Sequence, residues 1–142
     1  MIDAVVRHEA AEFRMTAVSM GNPHVVIFVN DKPAEMALEH GAGLERHPLF
    51  PARVNVGFAQ VVDQDRILLS VWERGSGPTL ACGSGAAAAV VAAVLTKRTR
   101  RKVQVELPGG MLNIEWAGDG IVYQEGPARL VFSGEIALAG EP

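Results

Sequence analysis

The sequence is poor in cysteine: Cys82 is the only one among its 142 residues. One thiol cannot close an internal disulfide, so the composition is not that of a secreted disulfide scaffold, and the cytoplasm is the expected compartment. Long apolar runs are missing too. The longest, Ala86 to Leu95, is too short to cross a bilayer, so no membrane partner is expected. The opening stretch MIDAVVRHEAAEFRM has no basic-then-apolar leader pattern. Net charge is only −3, which gives no reason to expect a nucleic-acid partner. There is no internal repeat at a solenoid period and no low-complexity linker.

What is present is the composition of a globular domain. Hydrophobic residues make up 49% and charged residues 20%, and a chain of this length can bury one core without staples. One basic run, Lys97 to Lys102, goes against the mild acidity. It reads as a solvated helix end, where cations suit the negative pole of the helix dipole.

Most of the chain has the pattern of short strands: Phe13–Val18, Val25–Val29, Val54–Val62, Arg66–Glu73, Lys102–Leu107, Met111–Trp116, Gly120–Gln124 and Arg129–Ile136. VELPGGMLNIEW reads as a hairpin turning at Pro108-Gly109-Gly110, and EWAGDGIVYQ as another. Two stretches read as helices. Pro33 to about His40 starts with proline at a favoured first position. Ser84 to about Arg98 is apolar all round until its basic end, the signature of a helix buried on every side. Many short strands and one enclosed helix predict an α+β fold, with mostly antiparallel strands curled as a barrel around that helix.

Cys82 stands where this buried helix begins, in the stretch GPTLACGSGAAAAVV. Gly83 and Gly85 flank Ser84 and permit close backbone approach. Backbone N–H groups at a helix start have no internal acceptor, and with the dipole they suit an anion such as a carboxylate. The same field lowers the pKa of a thiol placed there. The plainer alternative is an inert cysteine packed like a small apolar residue.

Three further stretches place polar groups beside apolar strands: SMGNPH with Asn22 and His24, RVNVGF with Asn55, and VWERGSG with Glu73 and Arg74. Taken singly, each has an ordinary account as a turn former, a packed histidine or a solvated strand end. Together with the cysteine motif they are harder to dismiss.

In this order, SMGNPH, HPLFPARVNVGFAQV, VWERGSGPTLACGSGAAAAV and VELPGGMLNIEW resemble the C-terminal half of diaminopimelate epimerase. The resemblance covers nearly the whole chain. It implies an isomerase of lysine and peptidoglycan-precursor biosynthesis that interconverts LL- and meso-diaminopimelate. The family uses no pyridoxal phosphate, metal or other cofactor. Two cysteines on opposite faces of the α-carbon act as acid and base, and Cys82 matches one of them. Glu73 and His24 match polar groups beside the reacting centre, Gly83 and Ser84 match backbone donors to the α-carboxylate, and Asn22, Asn55 and Arg74 match groups that hold the distal end.

The family's fold has two similar barrel-like lobes, each wrapped on a helix, with substrate between the helix mouths. On this resemblance residues 1–16 form a crossover between lobes, 17–127 the C-terminal lobe, and 128–142 a strand that pairs with an N-terminal lobe. The other catalytic cysteine belongs to that N-terminal lobe and has no counterpart here. The expected partners are therefore diaminopimelate and either an N-terminal lobe or a second copy of the chain, as a homodimer. Inactivity alone is expected. A reading from a different class is a non-catalytic carboxylate-binding or structural domain of the same fold.

Overall fold

A computed structural model describes residues 1–136 of the chain. Nine strands and two helices follow in order: β1 (Ala4–His8), β2 (Ala11–Ser19), β3 (Pro23–Phe28), α1 (Pro33–Glu45), β4 (Asn55–Asp63), β5 (Arg66–Glu73), β6 (Gly77–Thr79), α2 (Gly83–Leu95), β7 (Lys102–Leu107), β8 (Gly110–Trp116) and β9 (Val122–Glu125). They form one mixed sheet in the order β1-β2-β3-β4-β5-β7-β8-β9, with β6 added beside β5. Two neighbours are parallel, β3 with β4 and β5 with β7, and each of these joints is bridged by a helix. The remaining pairs are antiparallel.

Alternation along the strands sends side chains to two faces. Val25, Ile27, Val56 and Phe58 join Ala37 and Leu44 of α1 in one cluster. Val26, Ala59, Leu69, Val71, Val103 and Ile114 surround α2 in the other. Helix α2 touches strands from β2 across to β9, so the sheet bends around it. From Gly85 to Ala93 every residue of α2 is buried. Its alanines keep the cylinder narrow, which lets backbone approach from several sides.

The fold class is the expected mixture of sheet and helix, but the sheet stays open. β1 and β9 are its two ends, so a closed barrel is not formed among the described residues. Both expected helices form, and they pack on opposite faces of the sheet.

The expected strand Arg129–Ile136 is not formed; Leu130, Val131, Phe132 and Ile136 are more than four-fifths exposed. A strand needs a neighbour for its N–H and C=O groups, and none of the described strands pairs with this stretch. The remainder of the expected 128–142 strand, residues 137–142, lies outside the described residues. At the other end, residues 4–8 and 11–15 pair as the β1–β2 hairpin and join the main sheet.

Helix α1 runs past its expected end at His40 to Glu45. Gly41 reads as a stop in sequence, yet it is needed within the helix: a Cβ there would come 2.6 Å from the Cβ of Trp72. Helix α2 stops at Leu95, short of the basic run. Arg98 N–H donates to the Ala93 carbonyl and Lys97 N–H to that of Val94, with Lys97 left-handed at φ 59°. This is a Schellman end with lysine where glycine is usual. The cations are therefore beyond the last turn rather than in it, and they are used elsewhere. Arg98 lies over the Phe28 ring, Arg101 lies over that of Trp116, and Arg100 pairs with Asp65.

Ala89 is fully buried in α2, and its replacement by Leu should cost about 1–3 kcal/mol through overpacking. Leu95→Ala, at a site 40% exposed, should change stability by roughly 0.5 kcal/mol or less. Urea unfolding of the two variants checks the contrast.

Candidate active site

Cys82 is the N-cap of α2. Its backbone is extended, at φ −142° and ψ 99°, and its Sγ accepts a hydrogen bond from Gly85 N–H at 3.3 Å. Oxygen-bearing side chains usually fill this role. Here sulfur does so, and the N–H groups of Gly83 and Ser84, in the first turn, have no intrahelical acceptor. Gly85 leaves room for the thiol, since a Cβ there would meet Sγ and a Val71 methyl at 3.1 Å.

The sheet brings the other predicted residues to this helix mouth. Parallel pairing sets His24 opposite Asn55 at the starts of β3 and β4. Antiparallel pairing sets Val56 opposite Trp72, so β5 ends with Glu73 at the same edge. Ser84 Oγ lies 3.7 Å from Cys82 Sγ and 3.1 Å from His24 Nε2. Asn22 closes the chain of contacts: its Nδ2 donates to Ser84 Oγ at 3.3 Å and its Oδ1 lies 3.1 Å from His24 Nε2. Cys82, Ser84, His24 and Asn22 thus form one connected polar group.

Asn55, Glu73 and Arg74 are near but differently engaged. Asn55 is buried and donates to the Pro23 carbonyl at 2.9 Å while accepting from Arg74 N–H at 2.9 Å. It clips the Asn22 turn to the end of β5. The exposed Arg74 guanidinium donates to the Ala52 carbonyl. Glu73 Oε1 accepts from Thr79 Oγ1 at 2.6 Å.

Burial sets the protonation states. It is the largest influence on Cys82 and pushes the thiol above its ordinary value; hydrogen bonds from Ser84 and Gly85 pull the other way, and the nearby Glu73 carboxylate adds to the rise. The expectation of a thiol lowered by the helix field is therefore corrected. The cap bond is present, but loss of water around a residue only 7% exposed outweighs it. Burial also lowers His24, against a smaller opposing effect of Glu73, so its ring rests neutral. A thiol held in its neutral form therefore lies beside a neutral imidazole and the first-turn amides of α2.

Sequence reasoning missed three supporting residues. Thr79 orients Glu73 from a strand too short to carry a pattern. Glu45 accepts from Trp72 Nε1 at 2.9 Å and Gly75 N–H at 3.1 Å, and the Trp72 bond holds its carboxyl below the usual range. Its carboxylate thereby anchors the turn after Arg74. Gln124 of β9 reaches Gly83, where a Cβ would lie 3.1 Å from its Oε1. None of the three is marked by spacing or composition.

A family profile described as Diaminopimelate epimerase matches residues 16–131. Curated relatives named diaminopimelate epimerase include one from Desulfitobacterium hafniense, 56% identical over 128 residues, which are 90% of this chain and 45% of that protein. Another, from Leptospira biflexa, is 46% identical over 138 residues, 97% of this chain and 49% of that protein. The chain thus spans about half the length of the curated relatives it matches. Among solved structures, a hydroxyproline epimerase from Agrobacterium vitis superposes with a TM-score of 0.59 at 17% identity, covering 80% of this chain and 40% of that one. A phenazine-biosynthesis protein of the PhzF family from Bacillus anthracis gives 0.54 at 17%, covering 79% and 38%. These two likenesses are of fold.

Asn55→Ala should destabilise the chain by about 1–3 kcal/mol, because it strips the Pro23 carbonyl and Arg74 N–H of their partner. Chemical denaturation measures it. Alkylation of Cys82 by iodoacetamide should show a midpoint above the free-thiol value of about 8.5. Ser84→Ala should move that midpoint higher still, since the Ser84 hydroxyl favours the thiolate. Rates across a pH series check both.

Proposed function

This chain belongs to the diaminopimelate epimerase family, and we propose that it supplies one half of the active site of an enzyme that interconverts LL- and meso-diaminopimelate. The observation that carries the proposal is Cys82 as the cap of α2, its sulfur beside the free first-turn amides and beside the Ser84–His24–Asn22 group.

In this reading the substrate's α-carboxylate rests on the N–H groups of Gly83 and Ser84. As the α-proton leaves, charge spreads onto that carboxylate, and donors already in place stabilise it without reorganising. The resting thiol of Cys82 gives its proton to one face of the α-carbon: the S–H bond breaks, the C–H bond forms, and a thiolate remains. In the reverse reaction that thiolate takes the proton back. Ser84, itself held by His24, steadies the sulfur, and Glu73, held by Thr79, lies beside it. Asn22, Asn55 and Arg74 receive the distal amino acid end. No cofactor takes part, since the two thiols carry the proton transfers.

Inversion needs a second acid–base group on the opposite face of the same carbon. We assign it to an N-terminal lobe with its own cysteine, docked over the mouth of α2. Residues 1–127 are then one lobe built on the open sheet, and the stretch 128–136 pairs with the partner lobe. The exposed apolar side chains of Leu130, Val131, Phe132 and Ile136 support that pairing. Where no such lobe is supplied, a second copy of the chain takes its place as a homodimer through the same patch.

The test is exchange of the α-hydrogen of LL-diaminopimelate in deuterated buffer. The chain alone should give no exchange. Addition of an N-terminal lobe from a relative should restore it, and Cys82→Ser should abolish the restored activity. Binding of diaminopimelate with no exchange in the complemented pair would instead mark a carboxylate-binding domain. Sedimentation at tens of micromolar should show a dimer of the isolated chain.

A further inference from the structure

We propose that His8, Glu9 and His40 form a binding site for a divalent transition-metal ion of the zinc class, on the face of the sheet opposite Cys82. His8 ends β1, Glu9 lies in the turn to β2, and His40 projects from α1. One ligand atom from each of the three lies within 4.8 Å of the other two.

The imidazole nitrogens carry the argument. His40 is only 7% exposed, and Nδ1 of both His8 and His40 is buried with no hydrogen-bond partner among the described residues. A neutral imidazole has one donor and one acceptor nitrogen, and leaving either buried and unpaired is costly. Both orphans belong to rings that neighbour each other. The ring centres are 5.8 Å apart and the planes nearly perpendicular. Two imidazoles on one tetrahedral ion, with metal–nitrogen bonds of about 2 Å, have their centres roughly 5 Å apart. Small side-chain rotations therefore bring the pair to bonding distance.

The surroundings fit a cation. The exposed Glu9 carboxylate supplies negative charge at the rim, and Glu39 Oε1 lies 3.7 Å from His40 Nε2. Gly43 admits the His8 ring, since a side chain there would collide with His8 Nε2. Two imidazoles and one carboxylate suit zinc and its neighbours rather than magnesium or calcium, which favour all-oxygen sites. The ion would tie the β1–β2 turn to α1, and it takes no part in the chemistry proposed at Cys82.

The test uses the full chain without a polyhistidine tag, in a Cys82→Ser background so that the thiol cannot bind metal. After treatment with chelator and removal of the chelator, it is titrated with zinc chloride by calorimetry and with cobalt chloride by visible absorption. One ion per chain is expected, with cobalt bands of a low-coordinate nitrogen and oxygen site and a raised thermal midpoint. His8→Gln and Glu9→Gln should each weaken binding at least tenfold while leaving the metal-free melting curve near that of the parent. His40 is too buried to serve as the deciding variant; Glu9 is exposed, so its substitution decides even where His8→Gln perturbs folding. Absence of stoichiometric binding, or binding undiminished in Glu9→Gln, overturns the proposal.

Discussion

A helix with no polar face has to be enclosed, and that constraint organises this chain. Alanine and valine fill α2 from Ala86 to Val94, so no side of it tolerates water. The sheet bends to cover it, and the two parallel joints follow from the helical crossovers that keep one helix on each face. Enclosure has an exit, because the first N–H groups of a helix cannot be satisfied within it. They emerge at one edge of the sheet, and the polar residues collect at that edge.

The mouth of α2 balances two opposed effects. The helix start and the bonds from Ser84 and Gly85 favour a thiolate, while burial favours the thiol. Burial wins, and it also keeps His24 neutral. Both groups therefore rest uncharged beside donors that face outward. A developing negative charge would meet stabilisation already in position, whereas a permanent thiolate would have to be sustained without water.

Around this mouth, side chains also hold the backbone in place. Asn55 joins the turn before β3 to the end of β5, and Glu45 reaches from α1 to the indole of Trp72 and the N–H of Gly75. The two faces of the sheet are thereby coupled: the helix on one side fixes the loop that ends beside the site on the other. Gly41 belongs to the same arrangement, because its lack of a side chain lets Trp72 lie against α1.

The sequence by itself determined the buried helix, the hairpin at Pro108-Gly109-Gly110, the position of Cys82 at a helix start and the identities of the polar residues around it. These are local properties: periodicity, glycine placement and the absence of polar side chains over a run of ten. Only the tertiary structure decided which polar groups meet. That Ser84 lies between Cys82 and His24 depends on how α2 is seated against β3, some sixty positions apart in the chain. Pairing of Thr79 with Glu73, and of Glu45 with Trp72, follows from register and packing that no pattern encodes. The extension of α1 through Gly41 came from a contact with Trp72, and Arg129–Ile136 stayed unpaired for want of a neighbouring strand. The thiol's protonation was settled last, because the helix field can be read from one segment while burial depends on everything packed around it.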